Sequence, residues 1–139
     1  MIQLIIGEKG KGKTKVLLDK ANTEVKSVNG NVVYLDKSTQ HMYELNNKVR
    51  LIDVTGFPVD NSDEFLGFIC GIISQDHDLE QMYLDSFLKI AKLEGKDVTT
   101  ALEKLKRISS QFNVNFVISI SLTKAQLPDS VKDCIIAEL

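Results

Sequence analysis

The apolar run Ile2-Gln3-Leu4-Ile5-Ile6 leads straight into Gly7-Glu8-Lys9-Gly10-Lys11-Gly12-Lys13-Thr14, and this junction constrains the fold more than any other part of the chain. The run reads as a buried strand, and Thr14 to Ala21, apolar at Val16, Leu17 and Ala21, reads as a helix. The segment between them fits G-x-x-x-x-G-K-[ST], a pattern whose glycines let the backbone fold around an anion. Its N–H groups then point inward, with the positive end of the helix dipole behind them. Gly7, Glu8, Lys9, Gly10, Lys11, Gly12, Lys13 and Thr14 are therefore the candidate phosphate-binding residues. Lys13 is expected to reach the β- and γ-phosphates of a nucleotide, serving catalysis as well as binding, and the Thr14 hydroxyl to ligate Mg²⁺.

A chain of 139 residues, 43% hydrophobic and 26% charged, suits one domain over residues 1–139 with one sizeable core. The net charge of −2 and a pI near 5.7 argue against a duplex-binding surface, which needs a basic excess. Lys9, Lys11, Lys13 and Lys15 cluster, but within the phosphate loop. Cys70 and Cys134 lack metal or redox spacing and read as reduced core residues, which together with the absence of a leader points to the cytoplasm. The longest apolar stretch, Phe65 to Ile73, is too short to span a bilayer, so no membrane partner is expected.

Further along, Asn29-Gly30 marks a turn and Asn31 to Asp36 a second strand; Met42 to Leu45 reads as a helical turn and Val49 to Asp53 as a third strand. Asn61-Ser62-Asp63-Glu64 starts a helix carrying Phe65, Leu66, Ile69, Ile72 and Ile73, with Gly67 and Gly71 suggesting close packing on a sheet. Leu79 to Asp85 reads as a strand despite Glu80 and Gln81. Asp97 is placed to cap an amphipathic helix with Val98, Ala101, Leu102, Leu105, Ile108 and Phe112 on one face and Asn113 at its end. Val114 to Leu122 and Cys134 to Ala137 complete the strands. Such alternation predicts an α/β fold, a mostly parallel sheet with helices on both faces and ligands at the strands' carboxyl ends.

Mg²⁺ on a nucleotide keeps waters that a carboxylate must hold, and Asp36, Asp53 and Asp85 all end apolar strands. The stretch from Met82-Tyr83-Leu84-Asp85-Ser86-Phe87-Leu88-Lys89-Ile90, through the helix Ala101 to Phe112, to Asn113 through Ser121 resembles the core of RecA-like and DnaB-like ATPases. That resemblance implies a three-layer P-loop NTPase fold with ATP and Mg²⁺ as cofactors. It makes Asp85 the Walker B metal-organising acid and Ser121, or Ser119, the sensor that ends the next strand. The chain is also similar to short stand-alone bacterial P-loop proteins that sometimes carry the name of twitching-motility ATPases. Its likeness to the pilus ATPases themselves is confined to the phosphate loop.

Departures from the resemblance concern catalysis. Many such ATPases place a glutamate after the Walker B acid, but position 86 is Ser, and the RecA branch places one beyond the second strand, where this chain has Asp36-Lys37-Ser38. Asp36 is thus the candidate for positioning the attacking water, and only Arg50 and Arg107 are available as finger arginines. The expectation is a Mg²⁺-dependent ATP-binding protein that hydrolyses slowly, alone or with a second copy or protein partner.

Three alternatives compete with it. A non-catalytic nucleotide-binding regulator or assembly subunit is the first. A small GTPase draws on Asp53-Val54-Thr55-Gly56 and on Thr123-Lys124-Ala125-Gln126, where Gln126 replaces the aspartate that would pair with guanine. A small-molecule kinase fits the length but lacks an arginine-rich lid. Asp76-His77-Asp78 reads as a solvated turn, and His41 has no partner that the sequence reveals.

Overall fold

In a computed structural model describing residues 1–139, β1 (Ile2–Ile6) and α1 (Lys13–Glu24) are followed by β2 (Asn31–Asp36), β3 (Val49–Asp53) and α2 (Ser62–Gln75). Then come β4 (Leu79–Leu84), the short α3 (Phe87–Ile90), α4 (Thr99–Phe112), β5 (Asn115–Ile120) and β6 (Ile135–Glu138). The strands form one six-stranded sheet, all parallel, in the order β3-β2-β4-β5-β1-β6. Parallel neighbours need crossover connections, and a sheet covered on both faces needs strands apolar on both. The four inner strands meet that demand.

Alternation along each strand divides the core in two. Leu4, Val33, Leu35, Met82, Leu84, Phe116 and Ile118 pack with Phe65, Leu66 and Ile69 of α2 and Leu102 and Leu105 of α4. Ile5, Val32, Tyr34, Tyr83 and Val117 point the other way, onto Leu17, Leu18 and Ala21 of α1. Helices thus cover both faces, as the alternation predicts. Each fully buried Leu or Ile contributes roughly 1.5–3 kcal/mol relative to exposure.

Glu80 and Gln81 fit a strand because their polar atoms are matched. Glu80 accepts a hydrogen bond from the Gly30 N–H at 3.0 Å, and buried Gln81 accepts one from the Tyr83 hydroxyl at 2.7 Å. Asn61 caps α2 by accepting from the Glu64 N–H, and Asn113 ends α4 in the left-handed conformation. Met42–Glu44 forms a 3-10 turn, in which His41 finds a partner the sequence did not reveal, Glu44.

Several expectations need correction. Cys134, just before β6, is half-buried, and Cys70 is exposed because the helical period turns Gly67, Cys70, Gly71 and Ser74 outward while Phe65, Leu66, Ile69 and Ile73 face the sheet. Open space surrounds Gly67 and Gly71, so neither marks a close approach. Asp97 does not cap α4. Val98 holds that position, while the Asp97 carboxylate accepts from the N–H and hydroxyl of Thr99, contacts that pull its pKa down. Phe112, expected on the buried face, is exposed at the helix end. The short α3 was not foreseen. No helix is long and apolar enough to cross a membrane.

Candidate functional site

The loop between β1 and α1 is shaped by glycine. Gly10 and Gly12 stand at φ 83° and 89°, a region costly for side-chain-bearing residues, and Gly12 occupies the cap position of α1 without a side chain to satisfy the helix. From Glu8 through Lys15, no backbone N–H donates to an acceptor within the protein. These free donors lie at the positive end of the α1 dipole, an arrangement that favours a negative charge. Gly7 anchors the entrance by donating to Leu122 O at 3.1 Å. The Lys13 ammonium spans the loop to donate to Glu8 O at 2.8 Å. Burial pushes the Lys13 pKa down, and the charge of Asp85 opposes that shift. A desolvated cation in this position gains from an anion more than a solvated one does.

Across the loop stands Asp85, just past β4 and buried. Three hydroxyls from three elements donate to it: Thr14 of α1 to Oδ1 at 3.2 Å, Ser119 of β5 to Oδ1 at 2.9 Å, and Tyr34 of β2 to Oδ2 at 2.7 Å. Burial first, then the charge of Asp85, raises the Tyr34 pKa, so the phenol stays a neutral donor. Ser119 also accepts from the Ser86 N–H at 3.0 Å, holding Ser86 at φ 54° directly after Asp85.

A cavity of about 320 Å³ opens between these groups, walled by Lys9, Gly10, Gly12, Lys13 and Thr14 on one side and Asp85, Ser119 and Ser121 on the other. Both serines read as sensor candidates therefore reach it, and Ser119 is the one bonded to Asp85. Glu8 contributes its carbonyl, and Lys11 is exposed on the loop. Lys37, Lys89 and Glu94 also wall the cavity; the sequence marks none of the three as a site residue, because their approach to the loop depends on which strands are neighbours in the sheet.

Asp36, beside Asp85 at the end of the neighbouring strand, is 2% exposed and does not wall the cavity. Its Oδ1 accepts from the Lys37 N–H at 2.7 Å, while Oδ2 is buried without a partner. Desolvation, and then the charge of Asp85, holds its pKa above the usual carboxylate range.

The rival sites are not brought together. Asp53 lies on the edge strand β3, separated from β1 by β2, β4 and β5, and its carboxylate is engaged by the Thr55 N–H and hydroxyl at 3.0 and 2.6 Å. The Gln126 side chain accepts from the Thr123 N–H at 2.9 Å within its own turn. Arg50 pairs with Asp76 at the amino end of the sheet, 3.2 Å away, and Arg107 is exposed on α4. No cluster of three or more His, Cys, Asp or Glu side chains stands ready for a metal. Compared with known proteins, the chain matches no protein-family model and no curated protein.

Proposed function

We propose that the chain is a Mg²⁺-dependent ATP-binding protein and a slow ATPase of the RecA-like P-loop class that it resembles. The observation carrying this reading is the hydrogen bond of Thr14 to Asp85 beneath a loop of unpaired N–H donors. A hydroxyl and a carboxylate are the hard oxygen donors that Mg²⁺ takes alongside phosphate oxygens and water. Thr14 and Asp85 would hold the ion, which when bound neutralises phosphate charge. Lys13 would leave Glu8 O for the β- and γ-phosphates.

ATP is preferred over GTP because Gln126 is spent on its own turn and offers guanine no paired carboxylate oxygens. Turnover is slow because Ser86 stands where a water-orienting glutamate would stand and no arginine walls the cavity. Asp36, with its unpartnered Oδ2, is the candidate for orienting water once a nucleotide is bound. The burial of that same carboxylate favours the second reading, a nucleotide-binding regulator or assembly subunit without catalysis. Isothermal titration with ATP, GTP and ADP, with and without Mg²⁺, tests the binding claim; steady-state phosphate release separates the two readings.

A further inference from the structure

Beside the phosphate cavity lies a larger one, about 680 Å³, at the carboxyl ends of β2 and β3. The two share Lys37, Lys89 and Glu94 in their walls. The larger cavity also has Lys92, so three lysines border it. None of them forms an ion pair, and none of their ammonium groups donates to a protein acceptor. Asp60 and Glu94 leave the wall with an excess of one positive charge. The rest of its wall is Thr55 together with an apolar portion, in which buried Val54, Val59 and Ile90 lie beside the half-exposed ring of Phe57, 5.2 Å from that of Phe68.

We infer that this cavity is a second binding site, taking a small organic anion whose phosphate or carboxylate meets Lys37, Lys89 and Lys92 while its flat apolar body lies on Phe57 and Val54. Unpaired ammonium groups around an apolar floor match an amphipathic anion, since a neutral apolar molecule would leave the charges unanswered and inorganic phosphate would leave the floor wet. A volume of this size suits a small metabolite. The inference goes beyond nucleotide binding, although the shared lysines place the two ligands side by side.

Phenyl phosphate is a suitable probe, titrated into the ¹⁵N-labelled full chain and into Lys13→Ala, with benzyl alcohol as the neutral control. Saturable amide shifts at Thr55, Phe57 and Lys92 are expected with phenyl phosphate in both proteins, and none with benzyl alcohol. Affinity is expected to fall about tenfold in Lys92→Asn, and to fall in Phe57→Ala. Asn suits position 92 because Lys92 stands at φ 59°, which Asn tolerates. Shifts confined to Gly10 and Gly12, equal shifts from benzyl alcohol, or unchanged affinity in Lys92→Asn would each overturn the inference. MgATP titrated in parallel reads the phosphate loop: its failure there, with phenyl phosphate still shifting Phe57, counts against nucleotide binding and leaves the second site standing.

Discussion

The hydroxyl of Thr14 donates to Asp85 Oδ1 at 3.2 Å, joining residues 71 positions apart in the chain. One belongs to the first turn of the helix behind the glycine-rich loop, the other to the end of the strand two places from β1 in the sheet. The strand between them, β5, sends Ser119 to the same carboxylate oxygen. The sheet order thus turns three separate chain segments into one oxygen-rich wall.

Lys13→Ala is expected to remove ATP binding while leaving the protein folded. Lys13 lies outside both apolar clusters, and its ammonium touches only Glu8 O. Each charge-assisted phosphate contact contributes about 1.5–3 kcal/mol. Calorimetric titration beside circular dichroism checks it; unchanged affinity in the folded variant would sink the nucleotide reading.

Asp85→Asn should weaken the Mg²⁺ dependence of nucleotide binding far more than Asp53→Asn. Asp85 accepts directly from the Thr14 hydroxyl in the cavity wall, whereas Asp53 holds its own turn at the sheet edge. Comparing affinities with and without Mg²⁺ in the two variants decides between them, and the reverse ranking would favour the GTPase alternative.

Asp36→Asn is expected to stabilise the metal-free protein at neutral pH, because the amide keeps the acceptor for the Lys37 N–H while removing a buried negative charge beside Asp85. The folded pKa of Asp36 lies above its ordinary 3.8, so the fold favours the protonated form. The native state then binds more protons than the unfolded one, and stability falls as pH rises. That contribution is fully present below 3.8 and is lost as pH climbs through the raised folded value. Urea unfolding of both proteins from pH 4 to 7.5 should show the variant's advantage growing with pH; an advantage independent of pH would refute the charge argument.

ATP turnover by the isolated chain should fall well below about 10 s⁻¹, the median for enzymes. An arginine supplied to the transition state is worth about 10³–10⁵ in rate, yet Arg50 is tied to Asp76 at the far end of the sheet. Rapid steady-state turnover that survives Asp36→Asn would show that the water-orienting group lies elsewhere.

Gly30→Ala should destabilise the fold by about 1–3 kcal/mol, the usual cost of overpacking. A methyl group there would sit 2.1 Å from Asp78 O, a backbone atom held in place by the Asn31 N–H. Thermal unfolding measures the loss, and an unchanged midpoint would mean that the β2 entrance yields readily.

The sequence by itself determined the parts whose causes are local. The apolar run Ile2 to Ile6 ahead of clustered glycines specifies a strand, a turn and a helix start, because only glycine readily takes the positive φ of Gly10 and Gly12. Strand-end acids, the Asn61 cap and the Asn113 stop were legible for the same reason. What the sequence left open was which acid faces the loop: Asp36, Asp53 and Asp85 look alike in one dimension. Strand order decided it, since β5 alone separates β4 from β1 while β3 lies at the edge. The tertiary structure also decided that Lys37, Lys89 and Glu94 share the cavity walls and that Asp36 keeps an oxygen buried without a partner. Those facts depend on distances between segments remote in the chain, and neither periodicity nor motif spacing carries them.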